Sequence, residues 1–135
     1  MKKTFVLLFL LLTVTAFSKN YYGKEEPIAT VYSQMNLKRP VLKNQTAQGI
    51  VDEFTRITYE SVQDYSSTPE KDYSKLDDYY MRRTNAVLDK LDKNIDSLSE
   101  ADAQQILDHL DKLEAIVDKF QENKKMKEYK RNTVY

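Results

Sequence analysis

The chain predicts an all-α fold: a three-helix bundle built on a long antiparallel helical hairpin, with an irregular N-terminal arm and a basic C-terminal tail. Three observations carry that expectation. Only two glycines and three prolines occur in 135 residues, too few for the frequent turns of a sheet. Charged residues make up 31% of the chain, and they alternate with leucine, isoleucine and valine at steps of three and four. There is no cysteine, so packing alone must hold the fold and no thiolate can serve as nucleophile or metal ligand.

The N-terminus reads as an export signal. Lys2 and Lys3 form a positive start, Phe5 to Val14 is apolar apart from Thr13, and Ala16-Phe17-Ser18 offers small residues before a cleavage point at Lys19. That is the grammar of a secretory signal peptide over residues 1–18, and the apolar run is about half the ~20 residues that span a bilayer. Export to the periplasm or the outside is therefore expected. Whether the signal is cleaved or kept as an anchor stays open. Removing it leaves 117 residues, one domain's worth, with nineteen basic against twenty-one acidic side chains.

Residues 19–43 show no helical period. They hold Pro27 and Pro40, and the alternation from Ile28 to Tyr32 suggests an extended piece, so an irregular, partly disordered arm is expected. The bundle is expected over 44–123. Its first helix covers about 47–65, capped by Asn44 or Thr46, with Val51, Phe54, Ile57, Thr58, Val62 and Tyr65 on one face. Ser66-Ser67-Thr68-Pro69 breaks the chain.

Thr68 as cap and Pro69 at the first helical position start a second helix over about 69–96. Tyr73, Leu76, Tyr80, Val87, Leu88, Leu91 and Ile95 mark its buried side. A third helix, about 100–123, starts at Ser99, with Asp102 placed to return part of a capping box. Ala103, Ile106, Leu110, Leu113, Val117 and Phe120 form its stripe, widened by Leu107 and Ile116. The short link at Ser97–Ser99 makes the second and third helices antiparallel neighbours, with the first covering their groove.

Charge is unevenly spread. Residues 19–45 carry a net +3, 52–102 a net −6, and 121–135 a net +3. Lys124, Lys125, Lys127, Lys130 and Arg131 in the tail are the candidate contacts for an anionic envelope surface. Tyrosine is in excess at ten residues, and five of them flank the Ser66–Pro69 turn. Tyr65, Tyr73 and Tyr80 fit the core face, which leaves Tyr59 and Tyr79 as candidate partner contacts.

No motif carries chemistry. Asp92, Asn94 and Asp96 sit at positions one, three and five of a calcium loop, but Ser97 and Ala103 stand where glycine and glutamate are needed. His109 has Gln105, Ile106, Lys112 and Leu113 as helical neighbours, none an anionic ligand, and reads as a surface or boundary side chain. Catalytic, cofactor and metal residues are accordingly expected to be absent. Leu98-Ser99-Glu100-Ala101-Asp102 resembles in outline the Leu-Thr-x-x-Gln motif of periplasmic helical chaperones, with Asp102 for the glutamine and no second copy. Size, signal and lack of cysteine resemble those of secreted helical-hairpin adhesins, and no family is assigned on either likeness. The expected function is a non-enzymatic exported protein (adaptor, adhesin-like or chaperone-like) with a protein partner or a second copy of itself. The alternative is a binder of anionic envelope lipid or glycan. Nucleic acid is not an expected partner of an acidic exported body.

Overall fold

The computed structural model of the chain describes residues 26–133, with side chains described as far as residue 126. Four helices build it: α1 (Ile28–Gln34), α2 (Gln45–Ser67), α3 (Tyr73–Asn94) and α4 (Glu100–Thr133). Single turns of 3-10 helix at Glu70–Asp72 and Ile95–Ser97 extend α3 into one helical run from residue 70 to residue 97. The three-helix expectation is thus corrected to a bundle of four. The export signal and the first part of the arm, to residue 25, lie outside the described residues.

The extra helix is α1, where an irregular arm was expected. Ile28, Val31, Tyr32 and Met35 repeat at three and four residues as well as Ile28, Thr30 and Tyr32 repeat at two, so the sequence supports either period. Packing decides: Val31 and Tyr32 are buried, which a strand would not allow on adjacent positions of one face. Pro27 starts the helix, its carbonyl accepting from the amides of Thr30 and Val31. Asn36 ends it in the left-handed region at φ 56°, with Leu37 N–H donating to the Tyr32 carbonyl (3.0 Å) and Asn36 N–H to that of Ser33 (3.1 Å). That is a Schellman cap with asparagine in the place glycine usually takes.

α2 is the centre of the bundle, and this corrects a second expectation. The predicted body was an α3–α4 hairpin with α2 lying over its groove. Instead α2 packs closely against both α3 and α4, and those two approach each other far less. The composition of α2 explains it. Ala47, Thr55, Thr58 and Ser61 are buried beside Ile50, Val51, Phe54, Ile57 and Tyr65, so two flanks of this helix are apolar or small and neighbours come near on each. Thr58 and Ser61 hydroxyls donate to the carbonyls of Phe54 and Thr58, which satisfies them within the helix itself. The core is completed by Leu76, Tyr80, Val87 and Leu91 of α3 and by Ile106, Leu110, Leu113 and Val117 of α4. Each such fully buried aliphatic contributes roughly 1.5–3 kcal/mol before ordering entropy is set against it. Ile95 and Leu107, expected in the buried stripes, are exposed, because the 3-10 turn rotates Ile95 off the α3 face and Leu107 lies outside the α4 stripe.

The link between α1 and α2, residues 37–44, is fastened along its length. Leu42 is buried in the core and its N–H donates to Gln48 Oε1 (2.8 Å), while Gln48 Nε2 donates to the Pro40 carbonyl (3.0 Å). Asp102, 2% exposed, accepts from the amides of Lys43 (3.1 Å) and Asn44 (3.0 Å). Ser99 caps α4 by accepting from the Asp102 amide at 3.1 Å, but the Asp102 carboxylate does not return the bond as a capping box would. It reaches across to the link, and Asn44, held there, caps α2 by accepting from Ala47 N–H at 3.0 Å. One carboxylate thereby joins the starts of two helices.

Candidate functional site

The structure gathers its polar side chains in two places. The first joins three helices. Tyr32 of α1 donates from its hydroxyl to Asp52 Oδ1 of α2 at 2.9 Å. Thr55, one turn on from Asp52, places Oγ1 3.0 Å from the Tyr32 hydroxyl, 2.8 Å from the Val51 carbonyl and 2.7 Å from Nε2 of His109 on α4. Arg39 of the link grips the other side of Asp52, with Nε 3.1 Å from Oδ1 and Nη2 on Oδ2. Thr55 and His109 are buried, and the Tyr32 and His109 rings stand 5.7 Å apart, tilted by 44°.

Counting protons assigns the directions. Tyr32 gives its proton to Asp52, and Thr55 has one proton for the Tyr32 oxygen or the Val51 carbonyl. His109 therefore serves Thr55 best as the donor through Nε2–H, which leaves Nδ1 as the bare acceptor. Burial, aided by the Lys112 charge and opposed by Asp52, pushes the His109 pKa down to about 4, so the ring is neutral at pH 7. Burial first raises the Tyr32 hydroxyl above its ordinary value, which keeps it a donor. His109 is thus corrected from a boundary residue to a buried one. Its position between Ile106 and Leu113, at the stripe spacing, was the signal that could have shown it.

His109 also reaches a pocket of about 300 Å³ between the link and α4. Lys38, Arg39, Pro40 and Val41 form one wall. Gln105, Asp108, His109 and Lys112 form the other, on successive turns of α4. Val41 is 79% exposed there although its neighbour Leu42 is buried.

The second gathering is the tyrosine end of α2 and α3. Tyr80 donates to Asp64, both buried, and burial raises the Tyr80 hydroxyl well above its usual range. Tyr65 donates to Asp77 Oδ1 (2.9 Å), and Tyr73 to the Tyr65 carbonyl (2.9 Å). Desolvation, then the adjacent Asp78 charge, pushes the Asp77 carboxyl up to about 7. Arg83 bridges α3 to α2, bonding Glu60 at 2.7 Å and Glu53 at 3.0 Å while lying 5.4 Å from the Tyr79 ring centroid.

The candidate partner contacts are not brought together. Tyr59 is half-buried on the α1 side of α2, its hydroxyl 3.3 Å from Glu26 Oε2 and 3.4 Å from Gln34 Oε1. Tyr79 is half-buried on α3, edge-on to Tyr80 at 4.9 Å. Of the candidate anion contacts, Lys124 turns inward: its Nζ is 2.6 Å from the Tyr73 hydroxyl, 3.9 Å from that ring's centroid and 3.5 Å from Glu70. Lys125 is exposed, and the backbone of Lys127, Lys130 and Arg131 continues α4, with their side chains outside the described set.

Asp92, Asn94 and Asp96 form no loop. They lie along the end of α3 and the 3-10 turn after it, where Asn94 donates to the Lys90 carbonyl. Among the described residues no three metal-ligating side chains converge, and no helix is long and apolar enough to cross a membrane. No protein-family model, no curated protein and no solved structure matches the chain. It is a small all-helical domain whose function must be argued from its own residues.

Proposed function

We propose that this is an exported, non-enzymatic helical protein that acts through contacts with another protein in the periplasm or at the cell surface. The observation that carries the non-enzymatic part is the use made of the buried ionisable groups. Asp64 is held by Tyr80, Asp102 by two backbone amides, and His109 by Thr55. His109 lines a pocket, and its hydrogen-bond partner among the described residues is a threonine, not a carboxylate or nucleophile positioned for acid–base work. Export rests on Lys2, Lys3 and the apolar run from Phe5 to Val14.

The test is affinity capture with the purified chain against an envelope extract, read by mass spectrometry at low and moderate salt. A discrete protein retained at moderate salt, and weakened by Tyr59→Ala or Tyr79→Ala, supports the reading. No protein retained at either salt, or equal retention by the heat-unfolded chain, sinks it. A second reading, contact with anionic lipid or glycan, has one observation in its favour. α4 continues to Thr133, carrying Lys125, Lys127, Lys130 and Arg131 past the level of Tyr73 and Glu70, the last of them by about 10 Å. Capture of lipid or glycan alone, lost as salt rises, selects it.

A further inference from the structure

The pocket between the link and α4 has a polarity that follows from chain register. Lys43 and Asn44 meet Asp102, and the Val41 carbonyl lies 3.4 Å from Gln105 Nε2, so the link runs antiparallel to α4. Continuing that register sets Lys38 and Arg39 towards His109 and Lys112 at the other end. Pro40 and Val41 therefore line an apolar end, beside Gln105, and Lys38, Arg39 and Lys112 line the opposite end, together with Asp108 and His109. From Gln105 to Lys112 is about 10 Å along the helix axis.

The charges at the basic end are not all equally available. Arg39 is paired with Asp52. Asp108, the one acid in the lining, accepts from the neutral amide of Gln104 at 2.9 Å and keeps its charge, so it offsets one of the cations. Lys38 and Lys112 have no ion-pair partner among the described residues, and both line this one pocket of about 300 Å³. Two like charges facing one cavity repel, and an anion between them removes the repulsion. The wall is also fixed beforehand: Gln48 and Asp102 hold the link's backbone, so little ordering is required on binding. The exposed Val41 gives the apolar end something to gain from being covered.

We infer that this pocket binds an oxyanion head carried on a short apolar stem, the head between Lys38 and Lys112 and the stem over Pro40 and Val41. The site goes beyond the protein-contact reading and stands whether or not a partner is captured.

His109 is the single histidine, so its ring nitrogens report on the pocket without ambiguity. The full chain, labelled with ¹⁵N, is titrated with hexanoate, with acetate, and with sodium chloride at matched ionic strength. Vesicles of phosphatidylglycerol and of phosphatidylcholine test a lipid as the source of the same chemistry. A saturable shift of the His109 ring with hexanoate, weaker with acetate and absent with chloride, is expected. Lys38→Met and Lys112→Met should each weaken binding about fivefold, the upper size of one exposed charge contact, with the circular dichroism spectrum unchanged. Binding to phosphatidylglycerol vesicles alone, weakened by the same two variants, also supports the site and names a lipid as its source. The inference is overturned if neither probe binds, if acetate equals hexanoate, or if both variants bind as the parent does.

Discussion

Replacing Asp102 by alanine should destabilise the fold more than any other single change to an acidic side chain on α4. The carboxylate is 2% exposed and accepts from two main-chain amides at 3.1 and 3.0 Å. Hydrogen bonds to a charged group are worth about 1.5–3 kcal/mol each, and the amides of Lys43 and Asn44 recover part of that from water because those residues are not buried. A net cost of about 3 kcal/mol follows. Asn44 is also the α2 cap, so some loss there adds to it. Asp102→Asn keeps an acceptor oxygen without the charge and should cost about half as much. Urea unfolding followed by circular dichroism reads the change, with Asp108→Ala as the surface control. Hydrogen exchange at the Ala47 amide should accelerate in Asp102→Ala, since its acceptor is no longer positioned. An Asp102→Ala chain within about 0.5 kcal/mol of the parent, or with Ala47 exchange unchanged, would refute the idea that this carboxylate joins two helix starts.

Two further outcomes are expected. Thr84 Oγ1 is buried with no hydrogen-bond partner among the described residues, so Thr84→Val should stabilise by about 1 kcal/mol, seen as a melting temperature higher by about 4 °C; an unchanged or lower value would count against it. For pH, the two shifted groups act in opposite senses. His109 falls from 6.5 to about 4 on folding, so the unfolded chain binds the extra proton first, and on the order of 3 kcal/mol present above pH 6.5 is lost as pH drops through 4. Asp77 rises from 3.8 to about 7, so its contribution is greatest below 3.8 and is lost as pH rises through 7. Asp77→Asn should therefore steepen the decline in stability from pH 7 to 4, and the His109 ring should titrate near 4 in the folded chain. A ring midpoint above 6 contradicts the burial assigned to it.

The helices that were legible in the sequence are those long enough for a 3.6-residue period to outweigh a two-residue one. α2, α3 and the start of α4 carry stripes of five or more apolar positions, and Asn44 and Ser99 both cap as their positions suggest, whereas the run into α3 has the extended Pro69, not Thr68, at its cap and no side-chain cap bond. α1 has seven residues, where the two periods fit equally well and only the burial of Val31 and Tyr32 separates them. The centrality of α2 was hidden because small polar residues outside the expected apolar face, Thr55 and Ser61, look solvated until their hydroxyls are seen to bond their own or neighbouring groups. The site was hidden for a related reason. Tyr32, Asp52, Thr55 and His109 are spread over seventy-eight positions, and none has a local motif. The stripe Ile106, Leu110, Leu113 and Val117 lies inside the monomer core. Leu110→Asp should accordingly unfold the chain, not separate a dimer.

A bundle without cysteine must fix its helices by packing and by polar pairs, and here the two are combined at the same places. α1 and the link to α2 bury only Val31, Tyr32 and Leu42 fully, which is little for eighteen residues from Pro27 to Asn44. What holds them is a set of directed bonds: Tyr32 and Arg39 to Asp52, Gln48 to the link backbone, Lys43 and Asn44 to Asp102. Directed bonds fix position more sharply than apolar contact does, because they fail within a few tenths of an ångström. The link is thereby held as a rigid wall with Val41 and Lys38 facing out, while an apolar link of the same length would have collapsed onto α4 and closed the pocket. The same polar bonds that substitute for a larger core keep that surface open, and this is why stability and binding should separate cleanly: Lys38 and Lys112 govern the second without entering the first.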